Sequence, residues 1–256
     1  MAGRLSGKVA IVTGSGNGIG AVLATGFAGE GALLCIADKD TVGAKKTQKE
    51  ILKFGGKAIV TKTDVSKPED VMEMVKATIS TYKQIDVLIN NAGIALYAPF
   101  LEYSIEDWHK TLDVNLTGCF LCAQAVAKEM VKRENGKIIN ISSIAGAVGL
   151  PNSVAYTSTK AGISGMTRVL AVELAPKGIA VNAIGPGAIM TSMAKKTLKE
   201  EDRRAREAMV PMGRYGVPED LIECAVFLAS SGSDYLTGQT LYVDGGYLAS
   251  GVSKRH

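Results

Sequence analysis

Lys8-Val-Ala-Ile-Val12 runs straight into Thr13-Gly-Ser-Gly-Asn-Gly-Ile-Gly20, and the helix-like Ala21-Val-Leu-Ala-Thr-Gly-Phe27 follows. A β-branched run, a glycine-rich turn and an apolar helix in that order predict a βα unit. Glycines at such a turn let the main chain approach a pyrophosphate, whose charge is stabilised by free amides and by the positive end of the helix dipole. The spacing is Gly14, Gly18, Gly20, a G-x3-G-x-G pattern, and a tight turn that binds nothing would be written the same way. Gly14, Ser15, Asn17, Gly18 and Ile19 are the candidate contacts of the turn.

The same alternation continues outward from this unit. Strands are predicted at Val9–Val12, Leu33–Ala37, Ala58–Thr61, Val87–Asn90, Lys137–Ile141, Ala180–Ile184 and Leu241–Val243. Helices are predicted near Gly18–Gly29, Val42–Phe54, Pro68–Lys83, Leu116–Arg133, Ala155–Leu174 and Pro218–Ala229. Several strands are apolar throughout, which is expected of a parallel sheet buried under helices on both faces. The predicted architecture is therefore an α/β, doubly wound Rossmann-type fold with a seven-stranded parallel sheet. No linker or composition break divides it, so one domain covers residues 1–256. The Lys/Glu/Arg-rich segment Met190–Pro211 interrupts the alternation, and reads either as a helical substrate lid near 190–211 or as a solvated helix pair.

Composition narrows the function. With 46% hydrophobic and 21% charged residues in 256, the chain is an ordinary globular protein. Its 29 basic and 25 acidic residues leave +4, too little and too dispersed to point to nucleic acid, so a small-molecule partner is expected. His109 and His256 are the only histidines, which leaves little for a metal centre or a Ser/His/Asp triad, and no metal is expected. Of Cys35, Cys119, Cys122 and Cys224, only the middle pair has C-x-x-C spacing. That pair lies in the apolar Gly118-Cys-Phe-Leu-Cys-Ala-Gln-Ala-Val126, which reads as a core helix with packed thiols. No stretch approaches the ~18 apolar residues of a membrane span, so neither a membrane nor a secretory route is expected, and the cytoplasm is the expected location.

Two further constellations carry chemistry. Asp38 closes the second predicted strand, where a carboxylate can accept hydrogen bonds from a ribose 2′,3′-hydroxyl pair. A 2′-phosphate would meet that negative charge, which favours NAD; Lys39 follows directly and partly offsets the repulsion, which keeps NADP as the alternative. No G-x-x-x-x-G-K-[ST] occurs, against an ATPase or GTPase. Tyr156 and Lys160 are four apart in a predicted helix and share a face, so an ammonium can stabilise a phenolate beside it. The fifth strand delivers Asn140-Ile-Ser-Ser143 to the carboxyl edge of the sheet, where such folds bind ligands. A serine hydroxyl there can bond an alcohol or carbonyl oxygen; equally, Ser142 and Ser143 can cap the next segment and Tyr156 can be a half-buried core residue.

With these residues in hand, the sequence resembles the single-domain branch of the short-chain dehydrogenase/reductase family over about Leu5 to Gly246. The motifs fall in family order: Thr13-Gly-x3-Gly18-x-Gly20, Asp64-Val65, Asn90-Asn-Ala-Gly93, Asn115, Ser143, Tyr156-x3-Lys160 and Pro186-Gly187. The resemblance implies that Asp64 and Val65 flank the adenine, that Asn91, Ala92 and Gly93 line the cofactor, and that Pro186, Gly187, Ile189 and Thr191 bracket the nicotinamide. It implies hydride transfer between nicotinamide and a secondary alcohol or ketone, with Tyr156 as general acid/base and Ser143 binding the reacting oxygen. Lys160 would hold the nicotinamide ribose and lower the tyrosine pKa, and Asn115 would anchor a relay water. Ala145, with Ile94, Leu96, Tyr97, Val148, Leu150, Asn152 and Met193, is expected around a mainly apolar substrate pocket.

The chain is similar both to 3-oxoacyl-[acyl-carrier-protein] reductases, which mostly use NADPH, and to NAD-linked polyol, sugar-acid and cyclic-alcohol dehydrogenases. Asp38 tilts the reading toward the second group. Lys195, Lys196, Arg203, Arg204 and Arg206 either attract an anionic substrate or carrier protein or form a solvated helix face. A dinucleotide-binding regulator without turnover is the remaining alternative. The family implies a homodimer or homotetramer, with Tyr242 to Leu248 as a candidate interface segment.

Overall fold

The computed structural model describes residues 3–191 and 200–250. Seven strands form one sheet: β1 (Val9–Thr13), β2 (Leu33–Asp38), β3 (Lys57–Lys62), β4 (Val87–Asn90), β5 (Gly136–Ile141), β6 (Ile179–Pro186) and β7 (Thr240–Val243). All pairings are parallel and the order is β3-β2-β1-β4-β5-β6-β7. Parallel neighbours need crossover segments, which here are the helices α1 (Gly18–Gly29), α2 (Thr41–Lys53), α3 (Pro68–Tyr82), α4 (Ile105–Leu112), α5 (Gly118–Val131), α6 (Val154–Leu174), α7 (Glu200–Glu207) and α8 (Ile222–Ala229).

Side-chain alternation along the strands shows why both faces are covered. Ala10 and Val12 of β1, Leu34 and Ile36 of β2 and Val87 and Ile89 of β4 pack on one side with Leu23 and Phe27 of α1 and Val226 of α8. Ile11, Cys35, Ala37 and Leu88 point to the other side, against Val71 and Met74 of α3 and Val126 and Met130 of α5. Every residue of β1 and β4 is buried, so a run that looked uniformly apolar in sequence is a strand with a core on each face. The order of connection reverses between β1 and β4, and the carboxyl ends of those strands open the crevice where such sheets take ligands.

Several predicted boundaries are corrected. The helix expected at Leu116–Arg133 begins at Gly118, and a π-turn over Asp113–Thr117 joins it to α4, which the sequence reading did not include. α4 is set by its own start: the Ser104 side chain accepts from the Asp107 amide, with Glu106 and Asp107 in the first turn. The helix expected over Pro218–Ala229 is a 3-10 turn at Pro218–Leu221 followed by α8. β6 extends to Pro186, two residues past the expected Ile184. Cys119 and Cys122 are buried on α5, as expected of a core helix. No helix among the described residues is long and apolar enough to cross a membrane.

Candidate active site

The glycine-rich turn is held from behind. Gly14 adopts φ +64°, and a Cβ there would stand 2.7 Å from the Ala92 Cα, so neither backbone nor space admits a side chain. Asn91 fixes the turn by donating from Nδ2 to the carbonyls of Thr13 (2.9 Å) and Gly14 (3.0 Å). Thr13 Oγ1 in turn accepts the amides of Asn91 and Ala92, both at 3.1 Å. Gly14 and Ser15 donate to the Ala37 carbonyl, tying the turn to β2. A Cβ on Gly18 would meet only Thr191 Cγ2, at 4.0 Å, so the turn is open toward the loop after β6. Asn17 offers α1 no side-chain cap, which leaves first-turn amides aimed outward. A glycine cradle with uncapped amides at a helix N-terminus fits a dinucleotide pyrophosphate.

Asp38, at the carboxyl end of β2, closes one side of the turn. Its Oδ2 accepts the Gly16 amide at 2.7 Å and its Oδ1 accepts the Asp40 amide at 2.8 Å. The carboxylate is thus buried and pinned against the turn, with a second lone pair on each oxygen still able to accept a hydroxyl. Asp64 is held below the usual carboxylate range first by the Ser66 hydroxyl (2.6 Å) and also by Lys39 and Lys67. Val65 is buried against Gly118. In the loop after β6 the Gly187 amide donates to the Val243 carbonyl (2.9 Å), and Ile189 bridges to Gly216. Behind this loop lies a cavity of about 430 Å³ bordered by Gly187, Ile189 and Asp244; none of Ser143, Tyr156 or Lys160 borders it.

Ser143, Tyr156 and Lys160 come together where β5 meets α6. Ser143 Oγ accepts the Ala145 amide at 3.1 Å, so it caps the following 3-10 turn, and its hydroxyl acts on the Tyr156 phenol to lower its pKa. Ser142 is used structurally: its hydroxyl donates to the Lys160 carbonyl (2.9 Å) and contacts Ser164 Oγ (3.0 Å). Lys160 is 4% exposed, donates from Nζ to the Ile141 carbonyl at 2.7 Å and lies 5.6 Å from the Tyr156 ring centroid. Burial pulls Lys160 down to about 8, the neighbouring Cys119 opposing. Burial also raises the Tyr156 phenol, against the hydrogen bond from Ser143. The lowering expected from Lys160 is absent from this balance, and Nζ is directed at a main-chain carbonyl instead. Asn115, inside the π-turn, is committed as a clamp: Oδ1 accepts the Ile94 amide (2.8 Å), and Nδ2 donates to the Ile94 carbonyl (2.9 Å) and Thr159 Oγ1 (3.2 Å). A Cβ on Gly93 would stand 3.3 Å from Asn115 Oδ1 and 3.7 Å from Lys160 Nζ, so the fourth-strand motif and the catalytic helix share one wall.

This geometry agrees with what the chain is similar to. A family model described as Enoyl-(Acyl carrier protein) reductase matches residues 14–248. The chain belongs to the short-chain dehydrogenase/reductase family. It is 40% identical over 244 residues to the 3-oxoacyl-[acyl-carrier-protein] reductase of Synechocystis sp., covering 94% of this chain and 97% of that protein. It is 41% identical over 245 residues to 3beta-hydroxysteroid dehydrogenase 1 of Eggerthella lenta, covering 94% of each. The crystal structure of a gluconate 5-dehydrogenase from Burkholderia cenocepacia, in complex with NADP and tartrate, superposes with TM-score 0.92 at 36% identity over 96% of this chain and 97% of that one. The protein is an NAD(P)-dependent short-chain dehydrogenase/reductase, an oxidoreductase of alcohol and ketone groups.

In this dehydrogenase/reductase the structure brings together Gly14, Asn91, Gly93, Asn115, Ser143, Tyr156 and Lys160. Met193, Lys195 and Lys196 lie outside the described residues. Arg203 and Arg204 are not free to attract an anion: Arg203 pairs with Glu200 and Glu207, and Arg204 with Glu200. Sequence reasoning missed the supports under the site. Asn90 Nδ2 donates to Asn140 Oδ1 (2.9 Å), and Asn140 Nδ2 to Thr167 Oγ1 (2.9 Å), joining β4, β5 and α6. Three buried polar residues of this kind in otherwise apolar elements were the available signal.

Proposed function

We propose that this enzyme transfers hydride between NAD and a secondary alcohol or ketone, with Tyr156 as general acid/base, Ser143 holding the reacting oxygen, and Lys160 and Asn115 positioning the group. The observation that carries this reading is buried Lys160 with its Nζ 5.6 Å from the Tyr156 ring, at the carboxyl edge of the sheet next to the glycine turn. When bound, the nicotinamide dinucleotide supplies the hydride or takes it up. In oxidation the substrate hydroxyl proton passes to Tyr156; in reduction Tyr156 returns it to the developing alkoxide. Gly14, Ser15, Asn17, Gly18 and Ile19 would receive the pyrophosphate, Asp38 and Lys39 the adenosine ribose, Asp64 and Val65 the adenine, and Asn91 to Gly93, Pro186, Gly187, Ile189 and Thr191 the nicotinamide side. Ala145 would line the substrate pocket, and a lid near 190–211 would cover it. Cytoplasmic location and assembly as a dimer or tetramer belong to the same reading; exposed Val169 and Val172 on α6 support assembly.

NADH formation from NAD with a panel of secondary alcohols, polyols and hydroxy acids is the direct test. Activity with one group names the substrate class; NADH binding without turnover across the panel would favour a regulator. The second reading, a 3-oxoacyl-[acyl-carrier-protein] reductase with NADPH, is favoured by the Synechocystis relative. An oxoacyl thioester and NADPH in the same panel decide between them.

Two further results are expected. Asp38→Ala weakens NAD binding about tenfold more than NADP binding, since one charge-assisted ribose contact and one repulsion with a 2′-phosphate are removed together. Equal loss for both cofactors, measured by fluorescence titration, removes the case for NAD. For Ser143→Ala, the alkaline inflection of kcat/KM for oxidation moves to higher pH. The sign follows from the hydrogen bond: Ser143 lowers the Tyr156 pKa, so its loss leaves desolvation unopposed and the base form appears later. An inflection that stays in place or moves down would count against Tyr156 as the titrating base.

A further inference from the structure

Tyr97, between β4 and α4, is 64% exposed, and its ring is tilted 50° against that of Tyr156 with centroids 6.4 Å apart, which is ordinary aromatic contact. The main chain on both sides of this ring is fixed. Asn115 bonds both groups of Ile94, Oδ1 accepting the amide at 2.8 Å and Nδ2 donating to the carbonyl at 2.9 Å. The Tyr103 hydroxyl donates to the Leu96 carbonyl at 3.2 Å, and the Ala98 amide donates to the Asn152 carbonyl at 3.1 Å. A ring carried on a segment bonded at Ile94, Leu96 and Ala98 has little freedom left to lose when something packs on it. The bond to Asn152 also joins this segment to the loop that runs from Ser143 to Tyr156. Ile94-Ala-Leu-Tyr-Ala98 and Ile144-Ala-Gly-Ala-Val-Gly-Leu150, the stretches so joined, hold no charged side chain, and Val148 is exposed as Tyr97 is. A carboxylate or a row of hydroxyls lying there would give up water without a charged partner, whereas an apolar group would gain by leaving water.

We propose that Tyr97 is the specificity-determining residue of the site, its ring seating the apolar face of an alicyclic secondary alcohol, or of the corresponding ketone, whose oxygen lies at Ser143 and Tyr156. The inference rests on the proposed role of Tyr156 and deepens it by naming the substrate class. The carbon that bears the reacting oxygen carries two substituents, and these are the groups that a ring 6.4 Å from that of Tyr156 meets. A rigid alicyclic ring presents a flat C–H face to a fixed aromatic one and has no internal rotation to lose, while an open chain of the same carbon number must be frozen on binding. In oxidation the ring carbon gives its hydride to NAD and the hydroxyl proton to Tyr156, leaving the cyclic ketone.

The probes are decahydro-2-naphthol, the open-chain 2-decanol and the polyol D-glucitol, oxidised with NAD by wild type, Tyr97→Phe and Tyr97→Ala. Wild type is expected to show its highest kcat/KM with decahydro-2-naphthol. In Tyr97→Ala the ratio of kcat/KM for decahydro-2-naphthol to that for D-glucitol falls at least about tenfold, through KM rather than kcat, because apolar contact is lost while the proton transfer is not touched. Tyr97→Phe keeps the ratio within about twofold, since the ring and not the hydroxyl makes the contact. Binding of 2-decalone to the enzyme with NADH, read from NADH fluorescence, follows the same order without turnover. If 2-decalone binds with that dependence on Tyr97 but no alcohol is oxidised, the subsite stands and the reading of Tyr156 falls. If D-glucitol or 2-decanol is the better substrate, or Tyr97→Phe loses as much as Tyr97→Ala, the subsite is overturned and the reading of Tyr156 stands. Failure of 2-decalone to bind wild type, or binding that ignores Tyr97→Ala, overturns the subsite whatever is oxidised.

Discussion

Replacing Tyr156 with Phe is expected to reduce turnover by at least ~10²-fold while NAD and NADH bind as before, because general acid/base groups contribute on that scale. The substitution removes one oxygen and little else. A phenyl ring can keep the 6.4 Å contact with Tyr97 and the 5.6 Å approach of Lys160 Nζ. Ser143 loses one partner but still accepts the Ala145 amide, so its hydroxyl is not stranded. Burial of Tyr156 sharpens the expectation: the phenol is pushed up, so its protonated form dominates near neutrality and serves as the acid in reduction. Both directions should therefore fall, with kcat and kcat/KM reduced together, the signature of an interaction made only in the transition state. Steady-state kinetics with fluorescence titration of NADH measures both quantities. Near-normal turnover would mean that another group moves the proton; a matching loss of NADH affinity would make Tyr156 a structural residue.

The parts of this enzyme that were legible in the sequence are those whose chemistry is local. Val9–Val12 and Val87–Ile89 read as strand because every position is apolar, and the structure buries every one. The turn after β1 was legible because Gly14 and Gly18 have positive φ, which few other residues adopt. Ion pairing of Arg203 and Arg204 with Glu200 follows from i,i+3 and i,i+4 spacing. What escaped depends on packing between distant segments. α4 has eight residues, barely two turns, too short for its periodicity to stand out. The π-turn at Asp113–Thr117 shifts the helical register by one residue without any residue type that marks it, and it is this shift that carries Asn115 to Ile94 and Thr159. Asp38 could be placed at the end of β2, but its bonds to Gly16 and Asp40 arise from how the turn folds back.

Lys160→Met is the variant in which stability and activity should part. Burial holds the Lys160 ammonium at about 8 in the folded chain, against an ordinary 10.5 when unfolded. Below pH 8 both states are protonated, and the folded protein bears the full penalty of a buried charge. Between 8 and 10.5 the folded state has released the proton while the unfolded chain retains it, so the Lys160 contribution to stability rises with pH through that window. At about 1.4 kcal/mol per pKa unit the rise is about 3 kcal/mol. Cys119, itself lifted to about 12, and Tyr156, also raised, act the other way, because the unfolded chain ionises them first, so only the difference between wild type and variant isolates Lys160. Methionine binds no proton, so the stability of wild type relative to the variant should increase by that amount between pH 7.5 and 10.5, measured by urea unfolding. Taking the difference cancels the titrating groups that do not touch Lys160 and also the fixed loss of the bond to the Ile141 carbonyl at 2.7 Å. A difference that stays flat would mean that Lys160 titrates as an exposed lysine does, and then it could not be a charge held dry beside Tyr156. A difference that rises while turnover of the variant is lost would show an ammonium kept against its own desolvation because the reaction uses it.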